Sequence, residues 1–424
     1  MHGDRTRAGR RPDGRDGRDG PGSGNPPPLH AQAGRFVRFR GAPYNTRIMR
    51  YSFLREVRAW AVILGIVSHY LAYRLGWAKR PAFKNNIFDA FIVVGRLQRW
   101  PKRMRVRGAE HCPKAGPAVF CSNHSLTDDP FIGEAAIIVA SNDGIHVDHM
   151  MRKGFFTSAG KGKLYDLDEL LVMLGAHHID RENVTLSQLR VFVDLLKTDE
   201  SFLMYPTGTR SRSGMVLEYR AGEGEPGGAA FFVAQAQRAR PEVSVPITPM
   251  TRTYNPVTKV SQFQFGPARY LQPGARKPEQ RALDLAIVED IASLVVLHAP
   301  HVVGGLLYLT ALHQREPRWT LDELLGAVAD VFARKPHAHI DDAGPREVRR
   351  QTAKFVALCE KQGLLRREAG AVCIDPDAVL ATPEPGVSYR KVHLIKWTAN
   401  QVQHLPEVVN ALEDVALARP PRSA

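Results

Sequence analysis

Through the middle of the chain, short apolar runs alternate with stretches of helical spacing. Ala118-Val119-Phe120-Cys121 stops abruptly at Ser122-Asn123-His124 and reads as a buried strand ending in a polar turn. Asp128-Asp129-Pro130 then opens a helix, with Asp as cap or first-turn anion and Pro at an early position. Further helices are predicted at 187–196 and 228–238, and Val245-Pro246-Ile247-Thr248-Pro249 reads as a short strand bounded by prolines. Strands alternating with helices over residues 96–273 predict an α/β domain, a central sheet flanked by helices.

Ahead of that domain, residues 60–67 form a continuous apolar run, about half of the ~20 residues that a spanning helix requires. The segment continues through Ser68, His69, Tyr70 and Arg74 to Trp77, so that Trp60 and Trp77 mark the two ends of the whole, and Arg55, Arg58, Arg74, Lys79 and Arg80 lie around it. This pattern suits a helix in a membrane interface, with a buried core helix and a spanning helix as the alternatives. A second apolar stretch, 87–94, is interrupted by Asp89 and is also too short to span. Residues 47–95 are therefore read as a membrane-associated helical segment. Residues 1–46 are rich in Gly, Pro and Arg, lack the apolar residues that would offset chain entropy, and read as a disordered basic tail. No apolar core follows its charges, so it is not a signal peptide. Residues 281–424 read as a mainly helical C-terminal domain, with an apolar stretch at 301–313 and a capping box formed by Thr320 and Glu323.

Composition narrows the partners. Among 424 residues, 58 Lys and Arg against 43 Asp and Glu give a net charge of +15, which points to anionic partners: a phospholipid surface, an acidic carrier protein or nucleic acid. The nucleic-acid reading would use 319–375 as two helices followed by a small β-wing at 364–374. That segment carries Asp322, Glu323, Asp330, Asp341 and Asp342, whereas a DNA-facing module concentrates basic charge, so nucleic acid is not expected. Cys112, Cys121, Cys359 and Cys373 are widely spaced and form no Cys-x-x-Cys pair, which argues against zinc and a disulfide framework.

The candidate chemistry lies in four ordered segments: 122–130 around His124, 175–181 ending in Arg181, Tyr205-Pro206-Thr207-Gly208-Thr209-Arg210-Ser211-Arg212-Ser213-Gly214, and 245–249. They combine a candidate general base and carboxylate with arginines on turns suited to a phosphate. Spacing alone is not specific, because His337 and Asp342 repeat it without comparable surroundings. Arg181 stands beside Asp180 and Glu182 and reads equally as a surface ion pair. Lys153, Lys161 and Lys163 read as a solvated face, and the glycine-rich 222–228 lacks the order of a nucleotide-binding loop.

Together the four segments resemble the glycerolipid acyltransferase (PlsC-like) superfamily. Its Asn-His-x4-Asp block falls on Asn123, His124 and Asp129, which leaves Asp128 as a helix cap. The resemblance implies that His124 is the general base, oriented by Asp129, and that the acceptor site contains Arg181, Thr207, Gly208, Thr209, Arg210 and Arg212. It also implies that 245–249 lines the acyl side. Acyl-CoA or acyl-carrier protein would be the donor substrate, with no metal or redox cofactor, and glycerol 3-phosphate or lysophosphatidate the acceptor, at the cytoplasmic face of a membrane. Most members carry Glu where this chain has Thr207, whereas soluble plastid glycerol-3-phosphate acyltransferases are similar in having a hydroxyl residue there and Pro after the Asp. The C-terminal region resembles that of the larger first-acylation enzymes, which favours glycerol 3-phosphate. The Thr207 departure keeps a catalytically inactive lipid-binding relative open.

Overall fold

The structure, a computed structural model, describes residues 52–83, 87–152, 165–180, 183–219 and 227–422. The tail at 1–46, Lys153, Lys161, Lys163 and residues 222–226 lie outside them.

Eight strands form the main sheet: β1 (Met104–Arg107), β2 (Val119–Ser122), β3 (Val147–Arg152), β4 (Ala176–Ile179), β5 (Ser201–Met204), β6 (Pro246–Asn255), β7 (Val260–Phe265) and β8 (Arg269–Tyr270). Their order is β1-β7-β6-β2-β5-β3-β4, with β8 on β6. The block β6-β2-β5-β3-β4 is parallel throughout, so the chain leaves these strands on one side of the sheet. In open α/β sheets that side carries the functional loops.

Strands β2 and β5 are buried along their whole length, as expected of parallel strands covered on both faces. Their alternation sorts the core. Val119, Cys121, Phe202, Met204 and Ile247 pack with helices Leu186–Lys197 and Ala229–Ala239, where the rings of Phe192, Phe202 and Phe232 meet edge to face. Phe120, Leu203, Met250 and Phe263 pack with helix Asp129–Ser141 on the opposite face. Thr185 and Gln188 cap the first of these helices reciprocally, which explains its sharp start.

The strand expected to close at Pro249 instead runs on to Asn255. Its last six residues pair antiparallel with β7, so Pro249 lies inside the sheet opposite Cys121.

Helices Phe53–Arg74 and Ile87–Leu97 pack together through Ala59, Ile92 and Val93. The first is tied to the sheet layer by Tyr70, whose hydroxyl donates to the Asp166 carbonyl at 3.0 Å, and by Glu169, which accepts from Tyr73 and Arg74. Phe53, Leu54, Val57, Leu64 and Val67 remain exposed. Among the described residues, no helix is long and apolar enough to cross a membrane.

After the sheet the chain is mainly helical, yet one hydrophobic core runs from Val119, Phe202 and Ile247 into Leu306, Phe355 and Trp397. Helix Ala299–Leu312 sits at its centre. A Cβ on Gly304 would meet the Thr398 hydroxyl, and one on Gly305 would meet Leu412 at 2.7 Å, so glycine lets helices Leu394–Asn400 and Pro406–Leu417 approach closely.

Strand β9 (Arg318–Trp319) precedes helices Leu321–Ala333 and Pro345–Lys361, and β10 (Leu365–Glu368) and β11 (Ala371–Ile374) follow them as the hairpin expected there; the three strands form one sheet in the order β10-β11-β9. Acids answer the arginines of this segment, however. Arg349 pairs with Asp322, Arg350 with Glu347 and Arg367 with Glu360.

Candidate active site

β2 ends at Ser122, and the next two residues turn in opposite directions. Asn123 clips the turn to β6: its carboxamide donates to the Arg252 carbonyl at 3.0 Å and accepts from the Arg252 N–H at 2.8 Å. His124 then projects over the end of the sheet, where its ring stacks on Tyr205 at 4.4 Å and 24°. Its Nδ1 lies 2.8 Å from Asp129 Oδ2, on the first turn of helix Asp129–Ser141. The other ring nitrogen is thus left for a reacting group.

Asp129 is held from every side. The same Oδ2 accepts the N–H groups of Ser125 and Leu126 at 2.6 and 2.7 Å, and Oδ1 receives Arg252 Nη1 at 2.5 Å. Burial alone would raise the Asp129 carboxyl. The Arg252 guanidinium, the His124 imidazole and the Leu126 N–H outweigh it and hold the carboxyl below its ordinary value. Strand ends of this kind offer free N–H groups to an oxyanion, but here the two that follow His124 are taken by the dyad's own carboxylate. Asp128 sits at the cap position without a side-chain capping bond. It turns to Arg252 Nη1 instead, at 2.8 Å.

Arg252 is the residue that sequence reasoning missed. It is 3% exposed, and Ser261 on β7 accepts from its Nε and Nη2 at 3.0 and 2.8 Å. Nothing in Thr251-Arg252-Thr253 marks it, because the carboxylates it neutralises are more than a hundred residues away.

The turn after β5 lies beside the dyad. Ser211 donates its N–H to the His124 carbonyl at 2.7 Å, and Arg210 Nη1 reaches Thr127 Oγ1 at 2.5 Å. Gly208 has φ +64°, a conformation costly for a residue with a Cβ. Thr207, expected at the acceptor, is 3% exposed and donates to the Thr209 carbonyl, so it braces the turn from inside. Arg212 is exposed. Glu218, also missed from sequence, gathers the turn: its Oε2 accepts from Ser211 Oγ, Arg212 N, Ser213 N and Ser213 Oγ between 2.5 and 3.0 Å. Arg181 lies outside the described residues.

A second polar cluster lies further along helix Asp129–Ser141. Fully buried Glu134 bridges His146 and His149, both at 2.6 Å, and Asp148 meets His177 at 3.1 Å. Burial opposes the charged imidazole of His146, yet Asp148 and Glu134 raise it to about 9. Among the described residues, no group of three or more His, Cys, Asp or Glu is placed to hold a metal ion. The four cysteines are free and buried.

No curated protein matches the chain. Among solved structures it is similar to the 1-acyl-sn-glycerophosphate (LPA) acyltransferase PlsC from Thermotoga maritima, at 14% identity and a TM-score of 0.34, over 56% of this chain and 92% of that one. Residues 103–252 match the Acyltransferase family. That stretch contains His124, Asp129 and the 205–214 turn, and it ends on Arg252. The chain therefore carries an acyltransferase-family domain.

Proposed function

We propose that the protein moves a fatty acyl group from an acyl thioester to the hydroxyl of glycerol 3-phosphate. One observation carries the reading: the dyad and the Arg210 turn share one strand-end surface, joined by the hydrogen bond from Ser211 to the His124 carbonyl. With Nδ1–H donated to Asp129, Nε2 of His124 carries the lone pair and takes the proton of the acceptor hydroxyl. The alkoxide oxygen attacks the thioester carbonyl carbon, forming the ester C–O bond. The C–S bond then breaks, and the imidazolium returns its proton to the departing thiolate. The Asp129 carboxylate stabilises that imidazolium while its own charge is balanced by Arg252. Arg210 and Arg212 hold the acceptor's phosphate, whose oxygens match the planar guanidinium.

The assay offers glycerol 3-phosphate and lysophosphatidate in parallel, with acyl-CoA or acyl-carrier protein as donor. Product from glycerol 3-phosphate supports the reading, whereas product from lysophosphatidate alone moves the step to the second acylation. No transfer to either acceptor favours a lipid-binding relative. In the same assay Arg210→Ala raises the acceptor KM by about 10- to 100-fold, the worth of one or two charge-assisted hydrogen bonds. An unchanged acceptor KM would remove Arg210 from the anion site.

The exposed residues Phe53, Leu54, Val57, Leu64 and Val67 support a peripheral or monotopic seat on a membrane, where a lipid acceptor or product resides. Leu64→Glu with Val67→Glu is expected to abolish sedimentation with anionic phospholipid vesicles while leaving the thermal midpoint nearly unchanged. Undiminished sedimentation would move the membrane contact elsewhere.

A further inference from the structure

We infer that the C-terminal helical region is a working part of the acceptor site, because it sets the position of the arginine turn. The inference rests on the reading of Arg210 and Arg212 as the phosphate site.

Three consecutive residues of the turn are gripped from outside the acyltransferase-family stretch. The Tyr389 N–H donates to the Arg212 carbonyl at 2.9 Å, and Asn400 Nδ2 donates to the Ser213 carbonyl at 3.0 Å. Gly214, at φ +97°, lies so close to Trp397 that an added Cβ would meet that residue's carbonyl oxygen and, at 2.8 Å, its indole Cδ1. Trp397 is itself 1% exposed and edge-on to Tyr254 on β6 at 6.3 Å.

Each grip has a rigid base. Tyr389 opens the segment that reaches helix Leu394–Asn400. Gln362, at the end of helix Pro345–Lys361, holds that segment by accepting from Leu394 N–H at 2.7 Å and donating to the Lys391 carbonyl at 3.0 Å. On the inner side Glu218 binds the same turn through four hydrogen bonds. Residues 211–214 are thus clamped between a carboxylate of the sheet domain and a helix about 190 residues later in the chain. Ser211 N–H also ends on the His124 carbonyl, so loss of the helical jaw would release residues 212–214 while Ser211 stays tied.

Physical consequences follow for affinity. A guanidinium pair fits a phosphate within narrow limits, because each planar fork donates along fixed directions. Asn400 is accordingly a positioning residue: it acts through the Ser213 carbonyl on Arg212 and Arg210, and it touches no reacting atom.

The test uses the full chain. Asn400→Ala is expected to raise the acceptor KM about tenfold or more while the acyl-donor KM stays within about twofold. Gly214→Ala, which clashes with Trp397, should do the same. Lys396→Ala removes bonds from the same helix to Leu380, Ala381 and Thr382 but none to the turn, and should lower the thermal midpoint without moving the acceptor KM. In a cycle with Arg210→Ala, the double variant should lose less than the product of the single losses, since both act on one group. Should Asn400→Ala not fold, Asn400→Ser is too short to reach the Ser213 carbonyl and replaces it. The inference is overturned if the Asn400 and Gly214 variants raise donor and acceptor KM equally, or neither, while Arg210→Ala raises the acceptor KM alone. If Arg210→Ala also leaves the acceptor KM unchanged, it is the phosphate-site reading that fails.

Discussion

Replacement of His124 by alanine is expected to lower acyl transfer by about 10³- to 10⁴-fold, the upper range for a positioned general base, with little change in the thermal midpoint. The asymmetry follows from how the dyad is built. Among the described residues, His124 makes one side-chain hydrogen bond, to Asp129, and stacks on Tyr205 at the rim of the sheet. When the imidazole is removed, Asp129 still accepts from Ser125, Leu126 and Arg252, so no buried charge is stranded. The chemistry, by contrast, loses its only proton acceptor within the dyad. Initial rates with both acceptors, alongside thermal melts of the same preparations, check the expectation. Normal turnover in a folded His124→Ala protein would end the assignment of the base.

Arg252→Ala should show the opposite balance, with a large loss of stability. Removing one partner of a buried ion pair leaves the other charge uncompensated and costs about 3–5 kcal/mol. Here that cost falls on Asp129, which is 2% exposed, and to a smaller degree on Asp128. The pH dependence has a definite sign. In the intact protein the Asp129 carboxyl lies below its unfolded value of 3.8, so its contribution to stability is present above that pH. The contribution is lost as the pH falls through the lower folded value. Without Arg252, burial dominates and raises the carboxyl. Asp129 then takes up its proton at higher pH, and the acid limb of the kcat/KM profile moves upward. Arg252→Lys keeps the charge but loses the fork that reaches Ser261 and both aspartates, and should fall between. Urea unfolding and a pH–rate profile measure both effects. An acid limb that stays in place would mean that Arg252 does not govern the dyad.

The parts of the site that were legible in the sequence are those built from neighbours in the chain. His124 and Asp129 face each other across a strand end and one helical start, and the residue types around them spell out that local geometry. The glycine at 208 announced a turn because its φ is one that few other residues adopt. Helices with side-chain caps, such as Leu186–Lys197 with Thr185 and Leu321–Ala333 with Thr320, were also written locally. Arg252 was not legible, since its role is defined by carboxylates on another strand's exit and by Ser261 across a hairpin. The same holds for Asn400, whose counterpart at Ser213 lies 187 residues earlier. Asp128 takes the cap position expected of it, but its side chain makes no capping bond, because a buried guanidinium competes for the same oxygens. The length of β6 was misjudged because its partner, β7, follows it in sequence and extends the ladder beyond Pro249.

The apolar core that passes without a seam from the sheet into the later helices bears on how such an enzyme can be taken apart. Cutting the chain behind the family-matched stretch would not release a smaller enzyme. It would remove Val302, Leu306, Phe355 and Trp397, which share one core with Val119 and Ile247. Such a fragment would be sticky before it was inactive. The sheet domain and its helical companion share one core and are expected to unfold as one cooperative unit.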